Sequence, residues 1–453
     1  MRIEHADPLR LGGRTAPRAE SDRVIVHDKG GGTVGSSVRF PITRLAVPFL
    51  GSFTSLRPVP PGAIAIDPRQ RFTQPASSLR PRMGRTDGAR LVRVLNWNLL
   101  HARKDNDARL EIVARVLEDE QPDVVALQEV SQSWFLRRPN RAEVLAQRLG
   151  FAWTYRATNG APKLWEEGLA ILAKHSIVRT AQRRLDGSRP WPLNARQVLI
   201  GETRLGDGTP FAVAAVHLSF PANGEVENLE QALDAADLIA REVLARGIPA
   251  VLVGDLNAPP DALSVRALTT GEILGGDAPF VDAWAAVGSG PGITSTPTNP
   301  YTDAPSDPPQ RIDYVLVLQG TRSLARPIAA RVIGDRPADG GIYGSDHFGL
   351  VVDLELDGRP TSGPPDEQAA ALAAWNLCAR IERARSKIRA CRDEARAEIA
   401  RPRRSLAHGQ NGGHLEPNPR QLRDITLAKV RAAFGQIARA GNEVPPVGHH
   451  NKS

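Results

Sequence analysis

Residues 91–357 read as an α/β domain in which layers of sheet are covered by helices, with an irregular arm before it and a helical extension after it. Three observations predict this. At Leu91 a stretch rich in Gly, Pro, Arg and Ser gives way to short, β-rich apolar runs. Those runs alternate with a few segments of helical periodicity, as strands and helices do when they pack in layers. Past Gly358 the texture changes again, to an Ala- and Arg-rich stretch of high helix propensity.

The arm, residues 1–90, carries only short apolar patches such as Val24-Ile25-Val26 and residues 45–50, enough for a strand or two. The first strong element is Leu91-Val92-Arg93-Val94-Leu95, a β-rich run ending in Asn96-Trp97-Asn98. Residues 108–120 follow a helical period, with Leu110, Val113 and Leu117 on one face. After Pro122 comes the buried-strand run Val124-Val125-Ala126-Leu127, which stops at Gln128-Glu129. Leu169-Ala170-Ile171-Leu172, residues 197–203 and residues 211–216 read as further strands, the last ending at His217. A long amphipathic helix is expected over 227–246, broken by Gly247-Ile248-Pro249. The strand 250–253 leads into Gly254-Asp255-Leu256-Asn257, and 312–318 and 348–356 complete the set. Residues 358–365 look like a linker, and 366–453 form a basic, mainly helical extension. In it Pro402 stops a helix begun near residue 366, and a shorter helix lies around 422–440. Leu372, Trp375 and Leu377 are the side chains expected to dock on the domain, Arg-rich turns staying in water. No repeat of fixed period is present.

The formal charge of +8 is unevenly spread: residues 1–90 carry +8, residues 91–365 carry −7 and residues 366–453 carry +7. Acidic groups concentrated in the middle are what a cation site needs, while basic flanks attract phosphate polymers or anionic membranes; solvated tails are the plainer account of the same charge. The two cysteines, Cys378 and Cys391, lie outside the middle region, which excludes thiol and zinc–thiolate chemistry for its site. No run of about 18 apolar residues occurs, so an integral membrane segment is not expected. The first residues lack the apolar stretch of a secretory signal, and residues 42–53 are too short and interrupted by Arg44 and Pro48. A cytoplasmic location is the default expectation, with export by another route left open.

Chemistry-bearing residues fall at the ends of apolar runs: Asn98, Glu129, His217, Asp255 with Asn257, Asp313 within Arg311-Ile312-Asp313-Tyr314, and Asp346-His347 just before the last strand. Singly, an Asn or Asp at a strand end is more often a turn former than a ligand. Six such positions in one domain form a pattern. A carboxylate and an amide supply hard oxygen ligands for Mg²⁺, which keeps several waters and binds substrate phosphate. Such an ion neutralises charge developing on phosphoryl oxygens. An Asp–His pair orients an imidazole for proton transfer, and a second His and an Asn can donate to non-bridging oxygens. No Gly-x-Ser-x-Gly and no Gly-Lys-Ser/Thr phosphate loop appear.

The ordered set Trp97-Asn98, Leu127-Gln128-Glu129-Val130, Gly168-Leu169-Ala170-Ile171-Leu172, His217-Leu218-Ser219, Gly254-Asp255-Leu256-Asn257, Arg311-Ile312-Asp313-Tyr314 and Ser345-Asp346-His347 resembles the endonuclease/exonuclease/phosphatase superfamily, over more than half of the chain. The resemblance implies a four-layered α/β sandwich, two packed β-sheets flanked by helices. It implies Glu129 as main Mg²⁺ ligand, with Mn²⁺ an alternative ion, helped by Asn98 and Asp346. Asp255 would orient or activate water, Asn257 would contact the phosphate, and His347 would pair with Asp313. His217 resembles the second active-site histidine of the deoxyribonuclease and sphingomyelinase branches, and Glu167 and Arg196 are looser matches that would support it or the phosphate.

Departures bear on substrate. Abasic-site enzymes commonly carry an acidic residue where Leu100 stands, and a Tyr in place of His217; the Cys-Asp-Arg stretch of 5-phosphatases is absent. The resemblance therefore implies a metal-dependent phosphodiesterase acting by in-line attack of water, with nucleic acid the first substrate expectation because of the basic flanks. A sphingomyelinase-like or small-molecule phosphoesterase is the alternative; Pro190 to Leu193, with Trp191, is the nearest candidate for an apolar hairpin that could enter a bilayer. An interaction protein that kept the fold and lost the chemistry would lack the equivalents of Glu129, Asp255 or His347, and all three are present.

Overall fold

The computed structural model describes residues 25–27, 90–101, 106–161, 163–187, 195–220, 224–302, 305–320, 325–356, 367–400 and 418–440. The expectations for residues 45–50, 190–193 and the 358–365 linker lie outside them.

Two mixed sheets pack face to face. The first contains β1 (Ile25–His27), β2 (Arg90–Asn98), β3 (Val124–Ser133), β4 (Ala152–Ala161), β5 (Trp165–Ala173), β12 (Ala325–Ile333) and β13 (Gly349–Leu356), in the order β1-β4-β5-β3-β2-β13-β12. The second contains β6 (Ile177–Arg184), β7 (Gln197–Arg204), β8 (Pro210–His217), β9 (Ala250–Asp255), β10 (Phe280–Asp282) and β11 (Asp313–Leu318), in the order β10-β11-β9-β8-β7-β6. Helices α1 (Asn106–Glu120) and α2 (Arg141–Leu149) lie on the outer face of the first sheet. Helices α3 (Glu225–Glu242), α4 (Leu263–Thr269) and α6 (Glu367–Ala400) cover the second, with α7 (Pro419–Ala440) against α6; the short α5 (Ala283–Val287) follows β10. This is the four-layered α/β sandwich, with a helical C-terminal region. No described helix is long and apolar enough to cross a membrane.

The central strands of each sheet are buried on both faces, and their sequences are correspondingly rich in apolar residues. In β2, Val92 and Val94 enter the layer between the sheets, while Leu95 and Trp97 pack under α1. In β9, Val251 and Val253 face inward and Leu252 faces the outer helices.

Two parallel pairs set the site. β2 pairs with β3 across α1, and β8 with β9 across α3, because parallel neighbours require a crossover. Asn98 stands beside Gln128 in one ladder and His217 beside Asp255 in the other. Antiparallel β11 begins at Asp313, opposite Asp255. The ends of β2, β8 and β9 and the start of β11 thus meet along one edge of the sandwich, while β3, expected to stop at Glu129, runs on to Ser133.

The extension is part of the core. On α6, Ala374, Leu377, Ile381, Ala384, Ile388, Cys391 and Ala395 are buried at alternating spacings of three and four, and all but Ala395 join the cluster built by α3 and the second sheet. Arg385 pairs with Asp234 of α3, and Arg392 with Glu230 at 2.7 Å. Of the expected docking residues, only Leu377 is buried; Leu372 and Trp375 are exposed. The reason is spacing, since neither falls on the three-four stripe. The helix expected over 227–246 runs instead from Glu225 to Glu242, with a separate short turn at Leu244–Arg246.

Candidate active site

Glu129 sits where β3 departs from regular pairing. Its ladder with β5 slips between Leu127 and Val130, and Glu129 adopts φ 52°, rare for a residue with a side chain. The bulge turns the carboxylate out of the sheet. One oxygen, Oε1, accepts from Asn98 Nδ2 at 3.2 Å; the other accepts from the His101 backbone N–H at 3.1 Å and lies 2.9 Å from His101 Nδ1. Glu167 on β5 completes a cluster in which ligand atoms of His101, Glu129 and Glu167 all lie within 4.8 Å of one another. Burial pushes the Glu129 carboxyl up, but the hydrogen bond from His101 and the charges of His217 and His101 outweigh it and hold the group below the usual carboxylate range.

Asp255 ends β9 after Gly254, which has φ 156° and lies so close to β8 that a Cβ would stand 2.0 Å from the Val216 carbonyl oxygen. Only glycine lets the strands approach in this way. Asp255 Oδ1 accepts the Asn257 N–H at 2.8 Å, and Oδ2 accepts Asn98 Nδ2 at 3.1 Å. The same Oδ2 lies 3.4 Å from His217 Nε2 and 3.8 Å from His347 Nε2. Burial, together with the neighbouring Asp313, raises this carboxyl to about 7 against the pull of His347. Asn257, at φ 49°, spends its side-chain N–H on the Leu218 carbonyl at 2.9 Å.

The two imidazoles are driven apart. Burial and the nearby Arg196 guanidinium push His217 well below the ordinary histidine value. His347 is pushed down by burial but carried well above that value by Asp313, Asp255 and Asp346. Its Nδ1 lies 2.8 Å from Asp313 Oδ2. A relay behind it fixes the pair: Gln128 Nε2 donates to Asn96 Oδ1 at 2.9 Å, and Asn96 Nδ2 donates to Asp313 Oδ1 at 3.2 Å. The Trp97 indole N–H holds the His347 carbonyl at 3.0 Å.

All ten residues singled out from the sequence gather along this edge, with different degrees of contact. Asn98, Glu129, His217, Asp255, Asp313 and His347 are linked directly. Asn257 braces Asp255 through its backbone, with its side chain turned to Leu218. Asp346 takes the Ser345 hydroxyl at 3.1 Å and senses the Glu129 charge. Glu167 joins Glu129 and His101. Arg196 is pushed down by burial while feeling the charges of Asp255, Glu129, Glu167 and Glu227.

Three residues escaped sequence reasoning. His101 stands three places beyond Asn98, and its only signal is that closeness. Arg109 and Arg141 are almost wholly buried behind the Asn98–His101 segment. Arg109 donates to the carbonyls of Leu99, Leu100 and His101 at 3.1 Å each, and Arg141 Nη1 to those of Leu99 and Leu100 at 3.0 and 2.8 Å. Burial, and then the neighbouring Arg109, lower the Arg141 guanidinium to about 9.

A cleft edge carrying paired carboxylates, an Asp–His pair and a second imidazole defines a class. The chain belongs to the Endonuclease/Exonuclease/phosphatase family, whose model matches residues 95–347. Among individual proteins it is similar to nocturnin of Xenopus laevis, 27% identical over 197 residues; these are 38% of this chain and 49% of nocturnin, so the chain spans about half the length of that relative. Among solved structures, an endonuclease/exonuclease/phosphatase family protein from Bacteroides thetaiotaomicron aligns with a TM-score of 0.47 at 19% identity, covering 59% of this chain and 96% of that one. The human nocturnin catalytic domain with bound sulfate aligns with a TM-score of 0.45 at 20% identity, covering 59% and 94%.

Proposed function

We propose that the chain is a Mg²⁺-dependent phosphodiesterase that hydrolyses its substrate by in-line attack of water, with Mn²⁺ able to replace Mg²⁺. The observation that carries this reading is the Asp255 carboxylate held between two imidazoles, 3.4 and 3.8 Å away, with Glu129 one amide beyond it.

The donor set suits a hard divalent ion. Two carboxylates and an imidazole converge at His101, Glu129 and Glu167, and Glu129 is held ionised. Glu129, with Asn98 and Asp346 nearby, is the proposed anchor; a bound ion there would neutralise charge on the phosphoryl oxygens. The protein groups do the rest. Asp255, with its proton affinity near neutrality, takes a proton from water, and the Asn257 N–H keeps its Oδ2 pointed into the site. His347, kept protonated by Asp313, donates to the developing charge or leaving oxygen. Neutral His217 offers a further N–H, and Arg196 offers a guanidinium to the phosphate.

Nucleic acid is the first substrate to test, because residues 1–90 and 366–453 are both strongly basic. Many described cations of the extension are paired with acids, Arg392 with Glu230, Arg431 with Glu225 and Lys429 with Glu398 among them. Exposed apolar side chains beside the site favour a second reading, a phosphodiester presented at a lipid surface. The test is hydrolysis with and without Mg²⁺ or Mn²⁺ of supercoiled DNA, RNA and sphingomyelin vesicles side by side. Glu129→Ala, Asp255→Ala and His347→Ala should each lower turnover by about a hundredfold or more. Full activity in all three folded variants would refute the assignment.

A further inference from the structure

Beside the site, two turns expose five large apolar side chains. Ser133 to Arg138 form a tight turn at the end of β3, in which Trp134, Phe135 and Leu136 are 50%, 77% and 57% exposed. The adjoining turn between β4 and β5 exposes Leu164, at 51%, and the first residue of β5, Trp165, at 41%. Hydrogen bonds lock them together. The Phe135 N–H and the Ser133 hydroxyl both reach the Leu164 carbonyl, at 3.2 Å, and Arg138 and Ser133 pair through both backbone groups, at 2.7 and 3.0 Å. The apolar groups are therefore held outward by a built backbone.

Their position ties them to the site. Trp165 and Glu167 are two apart on β5, so they share a face about 7 Å apart. Glu167 belongs to the cluster with Glu129 and His101. Phe220, three residues past His217, is also 45% exposed.

Cations share the same turns: Arg137, Arg138 and Lys163 are exposed, while Glu166, the acid that follows Trp165, is half-buried and accepts from Gln132 Nε2 at 2.9 Å. Exposed aromatic and aliphatic side chains interleaved with exposed cations suit a membrane surface, where apolar groups enter the acyl boundary and positive groups meet anionic headgroups. Unpaired bases would account for the aromatic members by stacking, but they leave Leu136 and Leu164 without a role.

We propose that the Trp134-Phe135-Leu136 and Leu164-Trp165 turns, with Arg137, Arg138 and Lys163, dock this face on an anionic lipid bilayer and so bring the site to phosphodiesters at that surface. The last clause rests on the phosphoesterase reading; docking itself is measured without turnover.

The full chain is sedimented with phosphatidylcholine vesicles, with and without phosphatidylserine. Wild type should pellet with the mixed vesicles and much less with phosphatidylcholine alone. Trp134→Ser/Phe135→Ser/Leu136→Ser should weaken that partition by about tenfold or more. Arg137→Glu/Arg138→Glu should abolish the preference for phosphatidylserine. Circular dichroism establishes that the variants fold, and turnover of bis(p-nitrophenyl) phosphate should stay at the wild-type level. Wild type that ignores both vesicles, or a triple variant that binds them equally well, overturns the proposal. So does a triple variant that loses DNA or RNA binding or self-association in place of vesicle binding. Absence of bis(p-nitrophenyl) phosphate turnover in every protein would refute the phosphoesterase reading and leave the vesicle comparison standing.

Discussion

Asp313→Asn isolates what the charge beside His347 does. The substitution keeps the side chain's shape and the Oδ1 acceptor that Asn96 reaches at 3.2 Å, and removes one negative charge 2.8 Å from His347 Nδ1. Two unit charges about 4 Å apart at an effective dielectric near 20 interact by about 4 kcal/mol. Asp255, 3.8 Å from the other ring nitrogen, and Asp346 remain, and they offset part of the loss. His347 should therefore hold its proton less tightly than in the wild type. The new amide also donates to Nδ1 and favours the wrong tautomer. With metal saturating and bis(p-nitrophenyl) phosphate as substrate, kcat at neutral pH should drop about a hundredfold or more. The active form carries the proton on His347, so activity is lost as pH rises through its pKa. In the variant that alkaline limb must move to lower pH. An unchanged kcat with an unmoved limb would refute the reasoning.

Other outcomes follow from the same geometry. On the acid side, wild-type kcat/KM should climb through a limb near pH 7 as Asp255 ionises, since the carboxylate is the form that accepts a proton; a flat profile from pH 6 to 8 would contradict this. Gly254→Ala combines a φ of 156° with a Cβ 2.0 Å from the Val216 oxygen, and should cost about 3 kcal/mol or more in denaturant unfolding while displacing Asp255. Arg109→Met leaves the His101 carbonyl without that guanidinium and should cost about 2 to 4 kcal/mol. In a Mg²⁺ titration of activity, the same variant should need more metal than wild type.

Much of the site was legible because its strands are buried on both faces. β8, β9 and β11 read as nearly unbroken apolar runs whose polar neighbours mark the site, whereas β2 is interrupted by Arg93 and β3 continues past Glu129 to Ser133. β6 was illegible for the opposite reason: Ile177–Arg184 holds three arginines and a glutamine and pairs on only one side, with β7. β12 opens on Ala325-Arg326-Pro327, a poor strand signal, and lies at the other sheet's edge. Arg109 and Arg141 broke the rule that charge marks the surface, since both serve backbone carbonyls inside the domain. On α6, the eye falls on Trp375, whereas Ala374 and Ala384 join Leu377, Ile381 and Ile388 in the contact. Small side chains let the helix approach α3 closely, and their weak hydropathy hides the stripe.

That stripe gives the chain a late keystone. α6 follows every strand in sequence, so during synthesis the face of α3 that α6 covers stays open until Cys391 has left the ribosome, after both sheets are available to pair. For that interval, the nascent protein holds an open seam that only its own next segment fits. A chaperone that shields apolar surface would have its natural client in that interval, and a codon change that slows translation between Leu356 and Glu367 would lengthen it.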